Sequence, residues 1–134
     1  VWEAIDELHV QRVGHGVRSY EDPKLMEYLK AKNIHLEICP TSNIKTGIYP
    51  SIAAHNINKI YKNGNSLSIN TDGRSLSNVS LTEEYQKLNL HFDWQLKDYL
   101  QTNLYAIEAA FTDFDTKKSL QKRIQSAYDN VATE

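Results

Sequence analysis

Along this 134-residue chain, segments with the pattern of strands alternate with segments whose apolar residues have helical spacing. Three short segments at strand-like intervals, each polar where a strand would end, are predicted to be strands: residues 12–16, 34–39 and 66–71. Between them, apolar residues recur at helical spacing in residues 25–29 and 52–61. Strand, helix, strand, helix, strand is the pattern of a parallel α/β sheet.

Start and stop signals set the boundaries of these elements. Asp22 followed by Pro23 is typical of a helix start, because the acid caps the first turn and proline fits its first position. Asn33 and the Asn-Gly pair at 63–64 are predicted helix stops. Pro40 cannot donate to a strand ladder, so it marks the end of the second strand.

The last third of the chain is predicted to be helical. Ser80 and Glu83 have the spacing of a capping box. Two later apolar faces follow, the second after a start at Asp115: Leu96, Leu100, Leu104, Ile107 and Phe111, then Leu120, Ile124 and Tyr128.

Composition narrows the class of protein. The 15 basic and 17 acidic residues give a formal net charge of −2, without a block of like charge that would indicate a nucleic-acid or membrane surface. The apolar runs are shorter than the roughly 20 residues that span a bilayer. We therefore expect a cytoplasmic protein with neither a nucleic-acid nor a membrane partner.

Cys39 is the single cysteine, which excludes an intramolecular disulfide and a Cys-x-x-Cys metal site. A nucleophilic thiol is the alternative function for it. We favour a structural role, because the sequence implies no histidine partner nearby and buried single cysteines are usually inert.

His15 is the first candidate for chemistry. It lies between two glycines where the first strand gives way to a loop, and glycines there permit a tight bend and close approach of a ligand. From the residue alone, a loop histidine bonded to backbone groups is the simpler interpretation. An imidazole at a strand end can also act in proton transfer, because its pKa lies near neutrality.

Asp72 follows the third strand, after the polar residues Asn70 and Thr71. An aspartate at such a junction can cap a helix or form a turn. It can equally serve as a ligand at the polar mouth of a site. The pattern by itself leaves these alternatives open.

Three motifs together resemble the C-terminal part of the adenosine deaminases: Arg-Val-Gly-His-Gly at 12–16, Cys-Pro-Thr-Ser-Asn at 39–43 and Ser-Ile-Asn-Thr-Asp at 68–72. These are zinc hydrolases built on a (β/α)₈ barrel. A whole barrel needs about 250 residues. The resemblance therefore implies the last three βα units and closing helices of a TIM barrel, with residues 1–134 as the C-terminal portion of one barrel domain.

The resemblance also implies roles for individual residues. His15 matches the catalytic histidine that helps to deprotonate and orient the attacking water. Asp72 matches the aspartate that binds Zn²⁺ and contacts the hydroxide, so it counts as both catalytic and metal-binding. The motif at 39–43 shapes the pocket without supplying a ligand. The remaining zinc ligands and the ring-protonating glutamate are expected upstream of Val1, in the missing N-terminal half of the barrel.

Gly73 departs from the pattern of many members, which have a second aspartate at this position that hydrogen-bonds the purine. Gly73 is thus a substrate-binding residue by position only. Some bacterial members instead resemble this chain through a Thr-Asp-x-Arg-x-x-Ser pattern and a Leu-Thr-x-Glu-Tyr helix, here residues 81–85.

The function implied is zinc-dependent deamination of adenosine to inosine and ammonia by the full-length parent enzyme, with a purine nucleoside as substrate. The chain by itself is expected to be inactive. Two alternatives remain: a half-barrel that acts as a binding or regulatory module, and a catalytically dead relative of the deaminases.

Overall fold

The computed structural model describes residues 1–132 and contains a parallel sheet with the strand order β1-β2-β3. The strands are β1 (Arg12–Gly14), β2 (His35–Ile38) and β3 (Leu67–Ile69). The α-helices of the described residues are α1 (Trp2–Leu8), α2 (Pro23–Ala31), α3 (Pro40–Lys45), α4 (Ile57–Lys62), α5 (Arg74–Ser77), α6 (Leu81–Phe92), α7 (Leu96–Ala109) and α8 (Phe114–Ala132). A 3₁₀ helix covers Val17–Glu21.

The sheet has the register of a parallel barrel segment, with Gly14 opposite Glu37 and Ile38 opposite Ile69. Alternation along β2 gives its two faces different characters. Leu36 and Ile38 are fully buried in the hydrophobic core, whereas Glu37 is part-exposed and pairs with Arg12 of β1. The predicted parallel α/β arrangement is therefore confirmed.

The helix between β1 and β2 begins as its sequence predicts. Asp22 accepts hydrogen bonds from the backbone N–H groups of Lys24 and Leu25, and Pro23 occupies the first helical position. Trp2 of α1 donates its indole N–H to the same carboxylate, over 2.9 Å. These bonds hold the pKa of Asp22 below its usual value, the Trp2 bond most of all.

Between β2 and β3, one predicted boundary is confirmed and one is wrong. Pro40 ends β2 as expected, but it also begins α3, since proline fits the first turn of a helix. The helix predicted from Ile52 starts only at Ile57, because residues 50–54 form turns in which the backbone N–H of His55 donates to the carbonyl of Ile52.

The C-terminal helices agree better with the pattern. The capping box of Ser80 and Glu83 is present at the start of α6. The predicted face of α7 extends too far, because the helix ends at Ala109 and Phe111 is 75% exposed. Helix α8 begins at Phe114, one residue before the predicted start.

Helix α7 packs on α6 through an aromatic pair, and a second aromatic pair lies just before its start. Its Tyr99 stacks on Tyr85 of α6, with ring centroids 4.5 Å apart, and Trp94 packs on Tyr61 of α4. Within residues 1–132 no helix is both long enough and apolar enough to cross a membrane.

Candidate active site

The carboxyl ends of the three strands bring the sequence-predicted residues together at one edge of the sheet. His15 follows β1, α3 follows β2, and Asp72 follows β3. The ladder continues into this edge, because the backbone N–H of His15 donates to Glu37 and that of Asn70 donates to Ile38. The polar groups are therefore positioned by the sheet itself.

His15 and Asp72 both adopt the left-handed backbone conformation, with φ of 57° and 58°. This conformation is uncommon outside glycine and turns the chain sharply after each strand. Gly16 has a φ of 63° and is a tighter constraint, because a Cβ there would lie 2.7 Å from Cδ2 of Leu36. At Gly14 a Cβ would meet nothing within 4 Å. Of the two glycines beside His15, Gly16 is the one that the bend requires.

Asp72 is held by its neighbours in the ionised form. The Ser42 hydroxyl donates to Oδ2 of Asp72 over 2.7 Å. That bond first, and then one from the backbone N–H of Gly73, keeps the pKa of the Asp72 carboxyl below its usual value. Nε2 of His15 lies 3.7 Å from the same Oδ2, and the two side chains are 40% and 47% exposed. An ionised carboxylate and an imidazole thus lie next to each other at the solvent-exposed carboxyl edge of the sheet.

Two further residues form a series of contacts with His15: Asn43 contacts its ring, and His55 contacts Asn43. The sequence pattern did not predict these contacts. Nδ2 of Asn43 lies 3.1 Å from Nδ1 of His15, and Oδ1 of Asn43 lies 3.1 Å from Nε2 of His55. Asn43 and His55 are 1% and 2% exposed. Asn43 belonged to the motif at 39–43, but the buried contact with His55 has no local sequence signal.

Helix α3 is fixed to α6 by the motif that begins at Leu81. The backbone N–H of Thr41 donates to the buried carboxylate of Glu84 over 3.1 Å, and Lys87 donates to the Thr41 hydroxyl over 2.7 Å. Burial raises the pKa of Glu84 despite these bonds. Because Ser42 and Asn43 follow Thr41 directly, this anchor also sets where they lie.

The other candidates have structural roles. Cys39 is buried, and burial raises its pKa to about 12, so its thiol stays protonated and unreactive. His9 and His91 are exposed. His35 is buried at the start of β2, where Nδ1 and Nε2 contact the hydroxyls of Ser66 and Ser68 at 2.8 and 2.9 Å.

Gly73 has an ordinary backbone conformation, with φ of −63°. A Cβ there would make normal contact with Leu76, 3.7 Å away. The glycine is therefore not demanded by the fold, and a larger side chain has room at this position.

A catalytic zinc site uses about three protein ligands and keeps one position open for water. Asp72 and His15 have suitable ligand chemistry. Among residues 1–132, however, no group of three or more His, Cys, Asp or Glu side chains could hold a metal ion. The described residues thus fit part of a zinc site and do not complete one.

The adenosine deaminase family model matches residues 1–127. The chain belongs to the adenosine deaminase family. An adenosine deaminase of Plasmodium falciparum is 35% identical over 120 residues, which cover 90% of this chain and 33% of that protein. One from Clostridium botulinum is 37% identical over 125 residues, covering 93% and 38%. The chain spans about a third of the length of these relatives and corresponds to the C-terminal portion of the family's barrel.

Solved structures agree on this fold. The chain superposes on adenine deaminase from Arthrobacter aurescens with a TM-score of 0.92 at 23% identity, over 96% of this chain and 39% of that one. An amidohydrolase from Burkholderia ambifaria with bound Zn gives 0.87 at 29% identity, over 98% and 37%. An Arabidopsis family member, ADAL in complex with IMP, gives 0.79 at 27% identity, over 90% and 35%. The structure is the closing part of a TIM barrel.

Proposed function

We propose that this chain supplies the closing part of a zinc-dependent enzyme that deaminates adenosine to inosine and ammonia. The observation that supports this most is the pairing of His15 with Asp72 at the carboxyl edge of the sheet, Nε2 to Oδ2 3.7 Å. In TIM barrels this edge is where catalytic groups collect. The names of the matched relatives supply the reaction class.

Asp72 is the residue of this chain that would hold zinc. Its low pKa keeps the carboxylate ionised at neutral pH, as a metal ligand requires. Further ligands would come from the N-terminal half of the barrel. When bound, zinc makes a water molecule nucleophilic at neutral pH.

The residues described here have simple parts in the reaction. Water adds to the purine carbon that bears the amino group, the C–N bond breaks, and the amino group leaves as ammonia with a proton from the water. His15 would position the attacking oxygen through Nε2. Asp72, fixed by Ser42, would be a ligand of the metal. A glutamate outside this chain would protonate the purine ring.

Residues 1–134 would form part of one barrel domain, whose principal partner is the missing half of that barrel. Both β1 and β3 pair on one side only within the described residues, which leaves two strand edges for that half. A cytoplasmic location, without nucleic-acid or membrane partners, completes the proposal.

The choice of purine substrate rests on the names of the matched relatives. The relatives include proteins named adenosine deaminase, adenine deaminase and N6-methyl-AMP deaminase, and matched structures of ADAL hold IMP or GMP. A purine is common to these names. Adenosine is our choice because the curated relatives covering 90% or more of the chain bear that name.

Replacing Gly73 by aspartate is expected to leave the fold intact, within about 0.5 kcal/mol, since the change lies on an exposed surface with room for a Cβ. In an active barrel the new carboxylate should lower KM for adenosine with little change in kcat. Urea unfolding and steady-state kinetics would measure both. An unchanged KM would contradict a substrate-binding role for position 73.

A second candidate is a half-barrel that binds or regulates, or a dead deaminase relative. The observation that favours it is the lack, among the described residues, of a three-ligand metal cluster. An activity assay in a complete barrel distinguishes this second candidate from the enzyme. We define the assembled barrel as a chimera in which this chain replaces the corresponding third of the Clostridium botulinum adenosine deaminase.

The 134-residue chain alone is expected to bind no stoichiometric zinc and to release no ammonia from adenosine, whereas the assembled barrel should bind one zinc and turn over. Metal analysis of purified protein and an ammonia assay measure the two properties. The unmodified C. botulinum enzyme is the positive control. A folded chimera without turnover would favour the second candidate, and turnover by the short chain would contradict the need for a partner.

A further inference from the structure

A series of buried hydrogen bonds leads to Nδ1 of His15. The position of each proton in this series follows from the group at its other end. The series begins at the backbone N–H of Ile57, which lies 2.9 Å from Nδ1 of His55. A backbone amide can only donate. Nδ1 of His55 therefore bears the lone pair, and in the neutral ring the proton lies on Nε2.

The next contact fixes the amide of Asn43. Because Nε2 of His55 donates, the atom that it faces must accept, and this is Oδ1 of Asn43 at 3.1 Å. The opposite side of the amide is then the NH₂ group, which lies 3.1 Å from Nδ1 of His15. The orientation of the Asn43 amide thus follows from a backbone group.

The last contact decides the tautomer of His15. An NH₂ group donates, so Nδ1 of His15 is an acceptor and the proton of the neutral ring lies on Nε2. Nε2 is the atom that lies 3.7 Å from Oδ2 of Asp72. Toward the mouth of the site, His15 therefore presents a hydrogen-bond donor.

We propose that Asn43 and His55 are positioning residues that lock His15 as a donor from Nε2, so that His15 holds the attacking oxygen and does not remove its proton. Three observations indicate that these two residues are held rigidly. Both residues are at most 2% exposed, and the His55 ring packs on Tyr49 with centroids 4.4 Å apart. The backbone carbonyl of Asn43 also accepts bonds from Ile48 and Tyr49.

This inference rests on the proposed function, in which His15 meets the reacting water, and it removes the part in deprotonation that the family resemblance implied for His15. A base acting at Nε2 would need a lone pair there, which the Nε2–H tautomer lacks. The proton of the water must then go to a group other than His15. A donor at this position stabilises negative charge on the attacking oxygen.

The test is the ¹⁵N spectrum of the His15 ring in the full 134-residue chain, at about pH 8, where an ordinary imidazole is neutral. Protonated and unprotonated ring nitrogens have well-separated shifts, and His15→Asn identifies the signal. We expect the proton on Nε2. A proton on Nδ1, or an even mixture of the two tautomers, would overturn the proposal.

Two variants test whether Asn43 and His55 determine the tautomer of His15. Asn43→Asp keeps the shape but replaces the donor by an acceptor, so the His15 proton should move to Nδ1. His55→Phe removes the bond that orients the Asn43 amide, so both tautomers should appear. His91→Asn, on the exposed face of α6, is the control and should change nothing. An unaltered His15 spectrum in both variants would show that Asn43 and His55 do not set the tautomer.

A kinetic comparison in the assembled barrel separates a donor from a base. The amide nitrogen of glutamine can reach the place of Nε2, whereas that of asparagine reaches only the place of Nδ1. His15→Gln should therefore retain about tenfold more kcat than His15→Asn. Equal loss in both would contradict the donor role. The spectra need no turnover, so an inactive barrel with the expected tautomer would refute the proposed function and leave the lock in place.

Discussion

Asp72→Asn in the assembled barrel is expected to lower kcat by more than about a hundredfold, because changes in groups that merely support a metal ligand already cost 10- to 100-fold. His15→Asn should lower kcat by about 10²- to 10³-fold, the loss typical of one donor to a developing oxyanion. Asparagine suits both positions, since it tolerates the left-handed conformation with φ of 57° and 58°. Steady-state kinetics with adenosine measures the effect.

The chain offers matched controls for both substitutions. Asp93 is an exposed aspartate with the same φ of 58°, and His9 is an exposed histidine with φ of 51°. Asp93→Asn and His9→Asn should leave kcat unchanged. Near-normal activity in Asp72→Asn or His15→Asn, with zinc content and folding preserved, would contradict the assignment of that residue.

The features predicted correctly from the sequence are those that depend on near neighbours. Asp22 caps α2 through N–H groups two and three residues away, and Ser80 and Glu83 cap each other across one turn. Short segments with polar ends, separated by residues at helical spacing, predicted the three parallel strands. Such signals need no knowledge of the rest of the fold.

What the sequence did not show depends on contacts between distant segments. The partnership of His15 with Asn43 joins residues on different βα units, and His55 reaches Asn43 only because residues 50–54 form turns in place of the predicted helix. A helix from Ile52 would have placed His55 in its first turns. Because the start of this helix was predicted wrongly, the contact of His55 with Asn43, which in turn contacts His15, was not predicted.

The two buried histidines should make the fold sensitive to mild acid. Burial lowers the pKa of His35 and of His55 to about 4, from the ordinary 6.5. For His35 the nearby Arg12 adds to this effect and Glu37 opposes it. The folded chain therefore resists protonation at positions where the unfolded chain accepts it.

The sign of the effect follows from proton binding. Between about pH 6.5 and pH 4 the unfolded chain binds more protons at these two rings than the folded chain does, so the free energy of unfolding falls as the pH falls. Each ring contributes a slope of up to about 1.4 kcal/mol per pH unit, and at most about 3.4 kcal/mol over the window. The raised pKa of Glu84 acts in the opposite direction, because its protonation favours the folded state.

Urea unfolding at several values between about pH 7.5 and pH 5, followed by tryptophan fluorescence, should therefore show a steady loss of stability. This range lies above the usual titration of Asp22, Asp72, Glu83 and Asp113, whose pKa values are lowered further by the fold. His35→Gln and His55→Gln should each be less stable at pH 7.5 but lose less on acidification. The exposed His9→Gln and His91→Gln should keep the wild-type slope. A flat profile for the wild type would mean that the two rings are protonated in the folded chain as readily as in water, and the buried tautomer assigned to His55 would then fail with it.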